Sequence, residues 1–190
     1  MRGVKIMNST IKNEEIRYPG IQDGETFQIA GIDFIKFPSK NGETPIVAKN
    51  ILFNSPFGEN NDLRNSKVLQ KLEKDFLPKV IGAIGEKNLC TIKTDLTTLD
   101  GLKPYGVMES LISLPTMDFY REYVEIFDNH KVNVWWWLAT PESAKPHYDP
   151  TWILCVSPSG NVNSNCSHHG VHGVRPFLIL KSSIFESSEV

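Results

Sequence analysis

Two runs in the last third of the chain restrict its folding more than any other feature. Trp135-Trp136-Trp137-Leu138-Ala139-Thr140-Pro141 is answered by Gly173-Val174-Arg175-Pro176-Phe177-Leu178-Ile179-Leu180. Both are aromatic or aliphatic and strand-forming, so 133–139 and 173–180 are expected as adjacent core strands of one sheet. On a strand, Trp135 and Trp137 share one face and Trp136 takes the other, so at least one face must be core. The intervening 142–172 is rich in His, Asn, Ser, Tyr and Cys. It reads as exposed loops and a hairpin. Binding surfaces are commonly built this way, with a rigid frame around an irregular polar segment.

Earlier segments supply the rest of a core. Phe27 to Phe37 alternates as one or two strands kinked at Gly31. Thr44 to Phe53 is a further strand, bounded by Asn41-Gly42 and Asn54-Ser55-Pro56. Asp62 to Val80 is the clearest helix: Val68, Leu69, Leu72, Phe76 and Val80 recur at helical spacing. Ser66 or Asn65 serves as its N-cap and Pro78 ends or kinks it. Met117 to Phe127 predicts a second helix, whose Phe119, Tyr123 and Phe127 are core. Cys90–Thr97 and Val107–Leu114 complete the strand candidates. The expected class is α+β, antiparallel sheets with two helices.

With 190 residues, 40% hydrophobic and 22% charged, the chain suits a single domain with a sizeable core. Residues 1–20 read as a flexible N-terminal arm or attachment segment, 21–185 as the domain and 186–190 as a tail. The net charge of -2, with cations scattered rather than striped, gives no electrostatic case for a nucleic-acid partner. No apolar run is long enough to insert in a membrane, and residues 1–15 lack the apolar core of a secretory signal.

Cys90, Cys155 and Cys166 make no zinc ribbon. A hairpin turning at Gly160-Asn161 would set Cys155 opposite Cys166; a turn centred one residue earlier would not, and packing thiols are the ordinary reading. His168, His169 and His172, with His147, invite a metal. However, the Asn, Ser and Gly around them argue against the helix that would align a His-x-x-x-His pair, and no Glu or Cys completes the set. No Gly-x-Ser-x-Gly elbow occurs. Arg175, before a proline in an apolar strand, needs a buried acceptor such as a carbonyl or carboxylate. The residues of 142–172 either form a binding surface of flat rings and adaptable hydrogen bonds or are plain turn-forming loops.

Trp136-Trp137-Leu138-Ala139-Thr140-Pro141 resembles a WWLRSP-type motif, with Ala139 in place of Arg. Gly160, Val162 and Gly173-Val174-Arg175-Pro176 follow in the order of a V-x-x-x-G hairpin and a terminal GVRPAL-type strand. SKVLQKLEKDFL, from Ser66 to Leu77, resembles the helix of the same family, and Leu111 to Tyr120 resembles its L-L-S-x-E-E-A-x-x-Y segment. Over residues 25 to 181 the chain thus resembles the C-type-lectin-like domains of phage and prophage proteins, relatives of the formylglycine-generating-enzyme and phage receptor-binding branch.

The resemblance implies a C-type-lectin-like fold and, less directly, a role. The Glu-Pro-Asn and Trp-Asn-Asp signatures of calcium-dependent sugar lectins are missing. The close cysteine pair of a formylglycine-generating enzyme is missing too. The expectation is a non-enzymatic ligand-binding or display module, tail-associated and receptor-binding, whose 142–172 segment fits retroelement diversification. Its ligand-binding residues would be His147, Tyr148, Asp149, Trp152, Asn163, Asn165, His168, His169 and His172, with no catalytic residue, metal or cofactor. Its partner would be a host-surface protein or glycan, and a homo-oligomer such as a trimer would form through the N-terminal arm. It would act in a virion tail or, prophage-encoded, in a bacterial cytoplasm. The alternatives are a structural virion or cell-surface assembly protein and a divergent formylglycine-generating-type enzyme.

Overall fold

The structure, a computed structural model, describes residues 16–146, 150–168 and 171–187. Thr26–Ile29 (β1) turns through Ala30-Gly31 into Ile32–Lys36 (β2), which pairs with Glu43–Ala48 (β3). The alternating run is therefore two strands rather than one kinked strand. Lys40 and Glu43 close a second two-residue turn at Asn41-Gly42. The chain then leaves this sheet: Thr44–Phe53 breaks after Ala48, and Phe53–Ser55 (β4) begins the edge of another sheet.

The helix forms where the spacing predicts it, capped by Ser66, whose hydroxyl accepts from the Leu69 amide at 3.0 Å. It does not end at Pro78. Helix α1 spans 67–84 as Lys67–Lys71, a widened π-helical stretch Leu72–Phe76, and Leu77–Ile84. The Leu77 amide bonds five residues back to the Leu72 carbonyl. Pro78 cannot donate and its ring crowds the carbonyl four residues earlier, so one widened turn lets the helix continue. Val68, Leu69, Leu72, Phe76, Val80 and Ile84 face the core.

Ile92–Asp95 (β5) and Val107–Ser110 (β6) form a separate ribbon. The second helix is broken at Tyr123 into Met117–Glu122 (α2) and Val124–Asp128 (α3). Its aromatics are core as expected: Phe119, Tyr123 and Phe127 all pack on Phe37 with ring centroids 5.0–5.5 Å apart.

Then come Trp136–Pro141 (β7), Trp152–Val156 (β8), Val162–Cys166 (β9), His172–Val174 (β10) and Phe177–Lys181 (β11). The Gly173–Leu180 run is not one strand. Pro176 has no amide and restricts Arg175, so the run splits. β10 joins the five-stranded sheet β4-β10-β7-β8-β9, parallel to β7 through Gly173 and Trp136. β11 crosses to the four-stranded sheet β1-β2-β3-β11 and pairs antiparallel with β3. Only the first half of the run therefore lies beside β7. The architecture is mixed α+β and mostly sheet.

All six residues of β7 are buried, because both faces of its sheet are covered. Trp137, Ala139, Ile153 and Cys155 join one cluster with Phe34, Ile46, Leu72, Phe76 and Leu178. Trp136, Leu138, Leu154 and Val156 join the other with Phe37, Val47, Tyr120 and Phe127. Strands covered on both sides need no polar alternation, hence the unbroken apolar spelling. Trp135 precedes the strand and is 37% exposed. Tyr18, assigned to the arm, packs on Phe27 at 4.8 Å, and its amide bonds the Ile184 carbonyl.

Ala30 and Asn41 occupy the same turn position at φ 52° and 54°, each followed by a glycine in the same region. Asn tolerates this conformation better than Ala. Ala30→Asn is therefore expected to raise stability by about 0.5–1 kcal/mol in urea unfolding; a lower midpoint would contradict this account of the turn.

Candidate functional site

The display hairpin is β8 and β9 joined through 157–161. Its register places Val156 opposite Val162, Cys155 opposite Asn163 and Trp152 opposite Cys166. The turn thus centres earlier than Gly160-Asn161, on Ser159, and both cysteines are free. Side chains alternate, so Cys155 and Cys166 point to opposite faces of the hairpin. Burial pushes the Cys155 thiol up to about 12. Cys166 lies 3.7 Å from the Thr151 hydroxyl and within 3.5–3.6 Å of the His168 ring nitrogens.

The same alternation divides the expected ligand-binding residues. Trp152, 38% exposed, shares a face with Ser164 and Cys166. Exposed His168 approaches the Cys166 sulfur. Asn163, which is exposed, and Asn165 belong to the opposite face. His172 is not an exposed loop histidine: it begins β10, is 9% exposed, and stacks on Trp137 with ring centroids 4.1 Å apart. Asn165 reaches its Nε2 at 3.1 Å. Ser167, also assigned to the exposed segment, is wholly buried; its carbonyl accepts from the Phe57 and Gly58 amides. His147, Tyr148, Asp149 and His169 lie outside the described residues. Two surfaces therefore replace the single display, and one of them is partly buried frame.

What holds these loops is Asn61, which stands in a polar stretch before α1 with no motif to flag it. Its side chain is fully buried. Its Nδ2 donates to the carbonyls of Ser143 and Trp152, both at 2.9 Å, and its Oδ1 accepts from the Tyr105 hydroxyl at 2.7 Å. The Asn61 amide donates to the Pro150 carbonyl. One side chain thus anchors both sides of the segment around 147–149.

Beside this frame lie two neighbouring cavities that the sequence did not disclose. A cavity of about 420 Å³ is bordered by Lys93, Asp95, Asp118, Arg121 and Thr140. A second, of about 260 Å³, is bordered by Asp100, Glu142, Ser143 and Lys145. Leu99, 53% exposed, lines both. Asp100 accepts from Thr98 at 2.5 Å and from Ser143 at 2.8 Å, and pairs with Lys145 at 3.1 Å. These bonds lower its carboxyl to about 2. Hydrogen bonds from Thr97 likewise hold Asp95 below the ordinary carboxylate value. At the far wall, the Ser164 hydroxyl donates to Glu142 at 2.6 Å, on the Trp152 face of the hairpin. The Glu142 amide also donates to the Trp152 carbonyl at 3.0 Å, so the smaller cavity adjoins the start of the hairpin. The only trace of the cavities in the sequence is Asp100-Gly101, an ordinary turn signal.

Residues 114–182 are similar to the family described as "Domain of unknown function (DUF6273)". The matched stretch runs from the approach to α2 through the end of β11, and so includes both motif runs, the hairpin and the Arg175 crossing. No curated protein and no solved structure matches the chain.

Two outcomes follow from the frame. Burial lowers the His172 pKa, so the unfolded chain binds the proton more readily. Stability is complete above the unfolded value of about 6.5 and falls as pH drops through it. Thermal melts from pH 8 to 5 should show this loss, and His172→Gln should flatten it; an equally steep loss in the variant would place the effect elsewhere. Asn61→Ala orphans the Tyr105 hydroxyl and the Ser143 carbonyl, and should cost about 2–5 kcal/mol in urea unfolding. A loss under about 1 kcal/mol would mean that the loops are held by something else.

Proposed function

We propose that the chain is a non-enzymatic binding module of C-type-lectin-like fold, a phage or prophage tail-associated receptor-binding protein that engages a host-surface glycan. The observation that carries this reading is the Trp152 ring, left 38% exposed on a hairpin strand whose backbone bonds Glu142, a residue bordering the smaller cavity. A flat indole provides a stacking platform at low entropy cost. The two neighbouring cavities offer carboxylates, hydroxyls and cationic side chains able to hydrogen-bond a polyol.

The carboxylates suit holding a ligand better than transferring protons. A general acid or base works best with a pKa near the operating pH, whereas Asp95 and Asp100 are held below the ordinary carboxylate value. The formylglycine-generating alternative requires neighbouring thiols, and Cys155 and Cys166 point to opposite faces. The C-type-lectin-like assignment draws support from where its motifs fall: WWLATP on β7, Gly160 in the hairpin turn, and GVRP at the crossing between sheets.

A second reading, an assembly protein whose surface makes subunit contacts, is favoured by Val134, Trp135 and Val171, which are 39%, 37% and 63% exposed. The two readings separate experimentally. Trp152→Ala should weaken adhesion to host cells or to a glycan array tenfold or more, while changing stability by only about 0.5 kcal/mol. If adhesion is unchanged and Trp135→Ala instead alters the sedimentation coefficient, the assembly reading replaces the first.

A further inference from the structure

Strand β9 is the outermost strand of its sheet, and among the described residues no strand pairs with its outer side. Such an edge offers amides and carbonyls to any extended chain, a second copy included. The opposite edge, β4, is three residues long and runs into Pro56, which has no amide to offer. β9 has five residues, Val162–Cys166, with neither a proline nor a charge among them. It lacks the usual means of blunting an edge.

The ladder with β8 decides which of its amides face outward. The Ser157 amide donates to the Asn161 carbonyl at 2.9 Å and the Ser167 amide to the Thr151 carbonyl at 2.7 Å. Bonded and open pairs alternate along an antiparallel ladder, so Cys155–Asn163 and Ile153–Asn165 are bonded pairs. The amides of Val162, Ser164 and Cys166 therefore point away from β8. Each follows an asparagine, Asn161, Asn163 and Asn165 in turn. Two of these side chains fold onto the amide that follows them. Asn163 Oδ1 accepts from the Ser164 amide at 2.8 Å, and Asn165 Oδ1 accepts from the Cys166 amide at 2.7 Å. The Asn165 carboxamide is held from its other end, where Nδ2 meets His172 Nε2 at 3.1 Å. The Asn161 side chain instead bonds Ser159 within the turn.

We propose that Asn163 and Asn165 close the β9 edge against strand addition by a second copy of the chain. Every copy presents the same edge, and antiparallel pairing about a two-fold axis is self-complementary. An incoming strand would gain from Ser164 and Cys166 only bonds that these amides already make. The outward carbonyls remain, but a ladder needs donors as well as acceptors. Contacts made by the hairpin are thereby left to its side chains. Replacing Asn163 would spare the fold, because its side chain is exposed; what it would lose is the closure.

The test follows single amides by hydrogen exchange in NMR, and self-association by sedimentation. In the parent, Ser164 and Cys166 should be protected despite their outward direction. Asn163→Ala should lower the Ser164 protection factor tenfold or more and leave Cys166 unchanged. Asn163→Asp, which still offers an acceptor, should keep Ser164 protected. With Asn163→Ala and Asn165→Ala combined, self-association should tighten at least tenfold, and Ser164 should regain protection as concentration rises. Parent amides that exchange like free ones, a Ser164 amide indifferent to Asn163→Ala, or a double variant that sediments like the parent would each overturn the proposal. So would association that leaves Ser164 unprotected. Should the double variant not fold, Asn163→Ala alone decides by the same readings.

Discussion

Arg175 sits where the chain leaves one sheet for the other, and three layers meet on its side chain. Its Nε holds the Ala48 carbonyl at the end of β3, one face of its guanidinium lies over Trp136 of β7, and Phe127 of α3 closes on it from the helical layer. Pro176, which has no amide to give a ladder, marks the crossing. Truncating Arg175 would therefore remove more than one hydrogen bond. The Ala48 carbonyl, two aromatic faces and the crossing itself would all lose their common partner.

From that crossing follows the burial of both faces of β7, and from it the difference between Trp136 and Trp137. Trp136 turns toward Tyr120 and Phe127. Trp137 turns the other way, where its Nε1 donates to the Ser55 carbonyl at 2.9 Å and its ring meets Phe57 and His172. Gly173 permits the parallel contact with Trp136, since a Cβ there would stand 2.5 Å from Ile51 Cδ1. Amides of Phe57 and Gly58 then bind the Ser167 carbonyl, which brings the end of β4 to the end of β9 and closes the sheet around Trp137.

Features dictated by local pattern were legible in the sequence. The α1 stripe, its Ser66 cap, the aromatic core of 117–127 and the need of Arg175 for a buried acceptor all follow from spacing or from the cost of burying one group. Features dictated by pairing across distance were not. The split of Thr44–Phe53 and of Gly173–Leu180 between two sheets depends on which strand each half meets. The move of the turn centre from between Gly160 and Asn161 to Ser159 sent Cys155 and Cys166 to opposite faces. His172 read as a loop residue because its neighbours are turn-formers, yet the ring fills the space over Trp137. Asn61 had no motif to flag it, and the cavities had only the Asp100-Gly101 turn signal, since each arises when residues far apart in sequence converge.

The partition of polar residues between frame and surface follows from the same geometry. A side chain such as Asn165 or His172 that completes a buried contact cannot change without loss of stability, whatever it could offer a ligand. Trp152 and Asn163 carry no such burden, being exposed at the ends of well-paired strands. The Asp100 cluster is intermediate: Thr98 and Ser143 orient its carboxylate, and Asp100 also borders the smaller cavity. A surface that varies while its fold persists would be free to change at Trp152, Asn163 and His168 and bound to keep Asn61, Ser167 and Arg175. The polar composition of 142–172 thus mixes two kinds of residue, and burial rather than residue type separates them.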